Sequence, residues 1–416
     1  MQTLAMILKS EIKRVYEEQL RQLENANTGI KRQLIRNIRL DTDFVLIITG
    51  IRRCGKSTLQ KQLIKNSLPG FRYLNFEDPR LSGFTLNDMV KLDDLFLSGN
   101  ENPWLVFDEI QVVEGWEKYV RAKQDEGRRM LISGSNASLL SRELGTRLTG
   151  RHLSYELFPF SYAEYLIMMK EKPGAVTLGK YVKAGGFPEY LKYAEDDILF
   201  RIGDDILYRD IAVRQGIRQP ELLRKMLIYL ITNSGKLFSY NNLRKLFSLG
   251  SANTVKDYIS FFEDSYLLFT LPKFSFSPKK QMANPRKVYT IDTGLARVNS
   301  LSFSDDAGRK LENLVFLELR RRYRQIYYHS GDYECDFLAG NAGQPELAIQ
   351  VCHELHPDNI DRELEGLAEA MSENNIETGL IITFDQEDRL EKNGTTVDVM
   401  PAWSFLDSRI NPAPIT

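Results

Sequence analysis

The stretch "TGIRRCGKSTLQKQL", residues 49–63, is the most informative part of this sequence. It contains a G-x-x-x-x-G-K-S loop from Gly50 to Ser57, directly after an apolar run and directly before a helix-forming run. Small residues let backbone N–H groups turn inward around phosphates, a lysine neutralises phosphate oxygens, and a hydroxyl at the helix start binds Mg²⁺. The stretch therefore predicts a P-loop for ATP and Mg²⁺. The predicted ATP-binding residues are Gly50, Ile51, Arg52, Arg53, Cys54, Gly55, Lys56, Ser57 and Thr58.

A second apolar run, "WLVFDE" at residues 104–109, ends in two carboxylates. We predict that Asp108 orients the hydrated Mg²⁺ together with Ser57, and that Glu109 polarises the attacking water. A site that only binds nucleotide would not need the second carboxylate, so the pair predicts hydrolysis. After the next apolar run, "ISGSNAS" places Ser135 and Asn136 where a polar side chain can contact the γ-phosphate. A plain helix N-cap is an equal alternative at this position.

The segment "SRELGTRLTGR", residues 141–151, presents three arginines. An arginine inserted beside a neighbouring subunit's γ-phosphate would link hydrolysis to assembly, and Arg147 and Arg151 are the candidates. The alternative is that these arginines form ion pairs within their own chain. A role for one of these arginines in a neighbouring subunit predicts a homo-oligomer, and a ring is one possible arrangement of its subunits. The predicted catalytic residues are Lys56, Asp108, Glu109, Asn136, Arg147 and Arg151.

Length and composition limit the remaining choices. A chain of 416 residues predicts two to four domains. Its 55 Lys and Arg balance 56 Asp and Glu, so a nucleic-acid site would need a local concentration of basic residues. Three scattered cysteines predict a reducing compartment rather than a disulfide framework. No apolar run reaches 18 residues, so we predict a cytoplasmic protein without a membrane partner.

Pattern changes along the chain predict several domains. Four short apolar runs alternate with helical stretches, which is typical of a parallel sheet covered by helices. Broken helices follow, then three helices and two strands around a basic turn, which is winged-helix order. A smaller α/β pattern ends the chain. The predicted segments are N-terminal helices at 1–40, the P-loop core at 41–157, a helical subdomain at 158–219, a winged helix at 220–300 and the second α/β domain at 301–416.

The winged-helix segment carries a candidate DNA-binding surface. The third helix of such a domain enters the major groove with its N-terminal side chains, while basic residues of the wing contact phosphates. The alternative is that the domain packs against neighbouring protein. The predicted DNA-binding residues are Asn253 and Lys256 on the helix and Lys279, Lys280, Arg286 and Lys287 on the wing.

Several motifs together resemble a known family, the prokaryotic ATPases with an AAA+-type core. That family's pattern runs G-x-R-R-x-G-K-[ST], a strand ending D-E, T-G-S-[NS]-A, L-x-G-R, P-[FL]-S-[FY]-x-E and G-G-[FM]-P-E. The chain carries "GIRRCGKS", "FDE", "SGSNA", "LTGR", "PFSYAE" and "GGFPE" in that order. The resemblance implies an α/β P-loop NTPase core with an AAA+-like parallel sheet, followed by a helical lid, a winged helix and a small domain similar to PD-(D/E)XK nucleases.

The nuclease-like signature is incomplete in this chain. Such a nuclease needs an acidic residue on its first helix, an Asp on one strand and E-x-K on the next strand. Glu312 and Asp336 match the first two positions, but Gln350 and Cys352 stand at the E-x-K positions. Gln is a neutral ligand for Mg²⁺, and Cys cannot stabilise a developing oxyanion as an ammonium does. We predict a degenerate site that binds nucleic acid without cutting it strongly.

The leading functional prediction is an ATP hydrolase that couples Mg²⁺-dependent ATP binding and hydrolysis to DNA binding. One alternative is a nucleotide-gated switch that assembles with a protein partner, and hydrolysis only resets it. A second alternative is a metal-dependent DNA nuclease. DNA-stimulated ATP turnover favours the first function, partner-stimulated turnover the second, and Mg²⁺-dependent cleavage the third.

Overall fold

A computed structural model describes residues 7–97, 102–135, 150–301, 306–341, 343–392 and 395–407. The chain divides into two compact units, Met1–Phe158 and Pro159–Thr416. Each helix in these ranges is too short or too polar to cross a membrane. Candidate residues Asn136 and Arg147 lie outside the described residues.

The first unit is a parallel sheet in the order β2-β3-β4-β1-β5, with helices around it. Strands β1, β3 and β4 are buried along their whole length, which explains why the sequence shows them as continuous apolar runs. The sequence patterns did not identify β5, because this edge strand is partly exposed and has no continuous apolar run. The elements are α1 (Lys9–Glu24), β1 (Val45–Thr49), α2 (Lys56–Ser67), β2 (Phe71–Asn75), α3 (Leu86–Phe96), β3 (Trp104–Asp108), α4 (Trp116–Asp125), β4 (Met130–Gly134) and β5 (His152–Glu156).

Helix α1 packs on this sheet. Its Ile12 and Val15 are buried in the same apolar core as Ile47 of β1. The Gln19 amide pairs with the backbone of Asn75 in β2, accepting at 2.8 Å and donating at 3.2 Å. The N-terminal helices thus belong to the compact unit that contains the P-loop.

The second unit begins with helices, continues with further helices and a small antiparallel sheet, and ends in a mixed sheet. The short antiparallel sheet β6-β8-β7 contains the two predicted strands and a two-residue third strand. The first part contains α5 (Tyr162–Met169), α6 (Ala175–Ala184), α7 (Pro188–Tyr193), α8 (Asp196–Asp204), a π-helical segment (Asp205–Val213), α9 (Pro220–Thr232), β6 (Leu237–Phe238), α10 (Tyr240–Leu246), α11 (Ala252–Asp264), β7 (Leu268–Pro272), α12 (Pro278–Ala283), β8 (Arg286–Thr290) and α13 (Thr293–Asn299).

The C-terminal sheet runs in the order β13-β14-β12-β11-β10-β9. Strands β9, β10 and β11 form an antiparallel meander, and β12 lies parallel to β11. This topology places β10 beside β11, so residues facing one side of both strands meet. The elements are α14 (Ala307–Arg322), β9 (Gln325–Ser330), β10 (Glu334–Gly340), β11 (Leu347–Val351), α15 (Ile360–Asn374), β12 (Thr378–Thr383), β13 (Asp388–Lys392), β14 (Thr395–Pro401) and α16 (Ala402–Phe405).

Candidate nucleotide site and a buried carboxylate cluster

The loop between β1 and α2 has the backbone that a phosphate cradle requires. Arg53 and Gly55 both have positive φ, 64° and 103° respectively. Gly50 has φ 151°, and a Cβ atom there would lie 2.1 Å from the carbonyl oxygen of Leu157. A side chain at position 50 would therefore push the loop away from the segment that follows β5.

Lys56 lies inside the loop and is paired with Glu109. Its Nζ donates to the carbonyl oxygens of Gly50 at 3.1 Å and Ile51 at 3.3 Å, and lies 3.3 Å from Glu109 Oε1. Burial would lower the pKa of Lys56, but the negative charges of Glu109, Cys54 and Asp108 together raise it. Burial likewise opposes ionisation of Glu109, yet the Lys56 ammonium lowers its pKa. The two groups form a buried ion pair.

Asp108 is fully buried beside this pair. It accepts hydrogen bonds from the hydroxyls of Ser57, Ser133 and Tyr73, the last at 3.1 Å. Burial, and then the charge of Glu109, raise the pKa of Asp108. Mg²⁺ prefers hard oxygen ligands, and a hydroxyl at the helix start joined to a carboxylate at a strand end supplies them. The residues present thus fit a magnesium ion held through Ser57 and Asp108.

Gln111 is a site residue that the sequence patterns did not identify. Its amide donates to Glu109 Oε2 and lies 3.5 Å from the hydroxyl of Ser135. Glu109 itself has a left-handed backbone, with φ 52°, which is uncommon outside glycine and concentrates at functional positions. The Gln111 amide therefore links the predicted water-activating carboxylate to the predicted γ-phosphate contact.

Arg32 is a second residue that the motifs missed. Its buried guanidinium donates to the carbonyl oxygens of Cys54 and Phe158, each at 2.7 Å, and one of its nitrogens lies beside Gly55. The Cys54 thiol is also buried, and burial raises its pKa. Cys54 thus takes part in the loop through its backbone, held by a residue twenty-two positions earlier.

The other loop and arginine candidates range from half-buried to exposed. Arg52 pairs with Glu77 at 3.1 Å, Arg53 is exposed, and Thr58 is half-buried in the first turn of α2. Arg151 forms an ion pair with Asp125 at 2.7 Å and has 45% of its side chain exposed. Within one chain, Arg151 therefore adopts the intramolecular ion pair that was the alternative to a role in a neighbouring subunit.

The winged-helix segment carries a set of exposed polar residues. Asn253 and Lys256 are exposed on the first turns of α11, and Lys279 and Lys280 are exposed on α12. Arg286 is half-buried, because its guanidinium donates to Thr270 Oγ1 at 3.1 Å. The first four residues are accessible to a phosphate backbone.

The prediction that Lys287 contacts DNA phosphates is wrong, because this lysine does not lie on the outer surface of the wing. Its side chain is only 4% exposed, and its Nζ lies 2.8 Å from Asp336, 2.8 Å from Glu334 and 3.2 Å from Glu312. A phosphate cannot reach an ammonium enclosed in this way. Period-two alternation along β8 was an available signal, since it places Lys287 on one face with Tyr289, whose hydroxyl donates to Glu312 at 2.6 Å.

Three of the four residues predicted to form a degenerate nuclease site meet in one cluster. Glu312 and Asp336 share Lys287, and the backbone N–H of Asp336 donates to Gln350 Oε1 at 3.1 Å. Burial, and then Asp336, raise the pKa of Glu312 to about 7. Cys352 instead packs in the apolar core of the C-terminal sheet, and burial raises its pKa to about 12.

Two further carboxylates of this cluster were not predicted. Glu334 lies two residues before Asp336 on β10 and therefore on the same face. Glu363 of α15 is buried and accepts from the Gln350 amide at 2.6 Å. Its position on a helix gives no comparable sequence signal, because only the packing of α15 brings it to β11.

The fold and these motifs define the class. Residues 42–166 match the family model described as an AAA domain, and residues 176–306 match a domain of unknown function (DUF8612). With the parallel sheet and the P-loop, this places the chain among P-loop ATPases of the AAA+ type.

Relatives match over most of the chain. An uncharacterized protein of Methanocaldococcus jannaschii is 34% identical over 417 residues, covering 92% of this chain and 93% of that protein. A Haemophilus influenzae protein is 32% identical over 77% of this chain and 84% of its own length. The chain belongs to the AAA+-type ATPase family that includes these two proteins.

Two solved structures also align with the chain. The Aeropyrum pernix ORC1 protein, solved in complex with DNA, aligns over 72% of this chain and 94% of its own, with 13% identity and a TM-score of 0.28. Cdc6p from Pyrobaculum aerophilum aligns over 64% of this chain and 89% of its own, with 15% identity and a TM-score of 0.26.

Proposed function

We propose that this protein hydrolyses ATP with Mg²⁺ and couples hydrolysis to DNA binding. The observation that carries the proposal is the buried ion pair between Lys56 and Glu109, with Nζ 3.3 Å from Oε1. It joins the lysine of the predicted phosphate-binding loop to the carboxylate that follows Asp108, the predicted metal ligand. A site that only bound nucleotide would not need that second carboxylate.

The geometry supports a mechanism in which ATP completes the site. The γ-phosphate attracts the Lys56 ammonium away from Glu109, because phosphate oxygens carry more negative charge than one carboxylate. The released Glu109, held by Gln111, then accepts a proton from the attacking water. Ser57 and Asp108 would hold Mg²⁺, which would supply positive charge against the developing negative charge of the phosphates.

Two substitutions separate these roles. We expect Lys56→Ala to weaken ATP binding by about tenfold or more, because it removes charge-assisted hydrogen bonds to phosphate. We expect Glu109→Gln to bind ATP but to lower the turnover rate by ~100-fold or more, because it lacks the general base. Equilibrium binding of a fluorescent ATP analogue and steady-state phosphate release measure the two effects.

Lys61→Ala is the matched control, because Lys61 is a half-buried lysine on the same helix α2 as Lys56. It should retain both ATP binding and turnover. An undiminished hydrolysis rate in Glu109→Gln would contradict the assignment of water activation to that residue.

The proposal extends to assembly and to DNA. Arg147 or Arg151 completes the site of a neighbouring subunit in a homo-oligomer, while Asn136 contacts the γ-phosphate. For Arg151 this requires exchange of its pairing with Asp125. DNA is bound by the exposed residues of α11 and α12. Mixing an arginine variant with Lys56→Ala protein tests the assembly, since a mixed interface combines an intact P-loop with an intact arginine and should recover ATP turnover.

A further inference from the structure

The resemblance to PD-(D/E)XK nucleases implies a divalent metal among the carboxylates of the C-terminal domain, and the buried cluster can be tested for one. A metal ion would need to lie between Glu312 on α14 and Asp336 on β10, within 2.0–2.6 Å of their oxygens. The ammonium group of Lys287 already occupies the space between these two carboxylates. The Lys287 Nζ lies 2.8 Å from Asp336 Oδ1 and 3.2 Å from Glu312 Oε1.

A third carboxylate completes the enclosure of the ammonium. Glu334 Oε1 lies 2.8 Å from Lys287 Nζ, so three carboxylates surround one cation. The Lys287 side chain is 4% exposed. An ammonium has three N–H donors, which matches three acceptors. Burial would lower the pKa of Lys287, but Asp336 and then Glu312 and Glu334 raise it well above its usual value. The lysine is a permanent charge in this environment.

The neighbouring groups are also arranged for an organic cation rather than a metal. Gln350 accepts from the Asp336 backbone and donates to Glu363, so both ends of its amide are used inside the protein. A carboxylate at position 350 would face the carboxylate of Glu363. The Gln found there removes that repulsion but leaves a neutral, internally bonded side chain where a metal ligand would be needed.

From this geometry we infer that the Lys287 ammonium is a built-in replacement for the metal ion of the nuclease-like site. It neutralises the carboxylates that a divalent cation would otherwise bind, and so excludes that cation. The inference goes beyond the proposed ATP hydrolysis and does not depend on it, because no P-loop residue takes part.

The Lys287 ammonium also gives the carboxylate cluster a structural role. Lys287 belongs to β8 of the winged-helix segment, whereas its partners belong to α14 and β10 of the C-terminal domain. The same strand makes further contacts there: Asn313 pairs with the backbone of Thr290, at 2.8 and 3.0 Å, and the Tyr289 ring stacks on Phe316 with centroids 4.3 Å apart. The carboxylate cluster thus joins the predicted winged helix to the C-terminal domain.

The test compares Mn²⁺ binding by the full-length wild type and Lys287→Met, without nucleotide, by electron paramagnetic resonance. The Asp336→Asn change is added to each protein to show which binding belongs to the cluster. We expect Lys287→Met to gain one Asp336-dependent Mn²⁺ site at least ~10-fold tighter than any in the wild type, because a buried positive charge is removed from the carboxylates. Lys280→Met, which alters an exposed lysine of α12, is the control and should behave as the wild type.

Stability gives a second readout. Lys287→Met should unfold at a lower temperature than the wild type, and Mn²⁺ should restore its melting temperature while leaving that of the wild type unchanged. A folded Lys287→Met protein without the new site would overturn the inference. If that variant does not fold, the same measurements on the wild-type protein test the inference. Mn²⁺ binding or Mn²⁺-dependent DNA cleavage that is lost in Asp336→Asn would contradict the inference. The absence of both activities in the wild type would support it.

Discussion

At the residue scale, Arg32 shows how a side chain outside every motif can shape the nucleotide site. Its guanidinium satisfies two buried carbonyl oxygens, one of them within the P-loop. Arg32 is anchored in turn, since its backbone N–H donates to Gln62 Oε1 of α2 at 3.0 Å. A planar guanidinium can donate in two directions at once, which an ammonium does less well. We therefore infer that Arg32 is a positioning residue for the loop.

We expect Arg32→Ala to lower the free energy of unfolding by about 2–4 kcal/mol, because it leaves buried carbonyl oxygens without donors. We also expect about tenfold weaker ATP binding, equivalent to ~1.4 kcal/mol, because the loop loses its support. Urea unfolding and nucleotide titration measure the two effects. Arg36→Ala, an exposed arginine in the same N-terminal segment, is the control. Unchanged ATP affinity in folded Arg32→Ala protein would remove the positioning role.

At the element scale, the family's "GGFPE" motif joins helices rather than forming a reactive site. The backbone N–H of Gly186 donates to Asp292 Oδ2 at 2.6 Å, and Asp292 caps α13 by accepting from Leu295 N–H at 2.8 Å. A Cβ atom on Gly186 would lie 2.2 Å from the carbonyl oxygen of Phe160. The glycine thus permits a close approach between the turn after α6 and the segment before α5.

We expect Gly186→Ala to destabilise the second unit by about 2–3 kcal/mol, because a backbone carbonyl cannot move aside as a flexible side chain can. Gly250→Ala is the control, because a Cβ atom at Gly250 meets nothing within 4 Å. It should change stability by at most about 1 kcal/mol. Denaturant unfolding followed by Trp403 fluorescence is one measurement. Equal stabilities of the two variants would show that the turn adapts.

At the scale of the whole molecule, a chain with a net charge of −1 can bind DNA only through a local basic surface. With Lys287 buried and Arg286 half-buried, the wing offers Lys279 and Lys280 for this purpose. Both stand on α12, between the two long strands of the small sheet. The surface predicted to bind DNA therefore includes fewer basic residues of the wing than the sequence indicated.

We expect the double change Lys279→Ala and Lys280→Ala to weaken duplex DNA binding and to reduce the slope of log K against log salt by about 1.8, because two phosphate contacts are lost. Fluorescence anisotropy over a range of salt concentrations measures the slope. The control changes Lys172 and Lys192, two exposed lysines of the same unit, to Ala. A slope unchanged by the wing substitutions would favour a protein-packing role for this segment.

Local patterns in the sequence were sufficient to predict the P-loop, most strands of the first sheet and the fold class. Loop chemistry depends on adjacent residues, so Gly50 to Ser57 predicted the P-loop. The three buried strands β1, β3 and β4 and the partly buried β2 appeared as apolar runs. The AAA+-type family and the α/β fold are confirmed by the family match and the sheet. The site assignments, including those of Asp108 and Glu109, stay predictions, although the structure brings these two residues to Lys56.

Tertiary structure alone decided the positions that depend on distant contacts. Lys287 meets carboxylates 25 to 49 residues further along the chain, and Arg32 reaches a carbonyl oxygen 126 residues away. A charged side chain near a turn is usually solvated, because burying a charge is costly unless partners are present. Only the packing of β8 against α14 and β10 supplies those partners, and so only the folded chain shows which carboxylates surround this lysine.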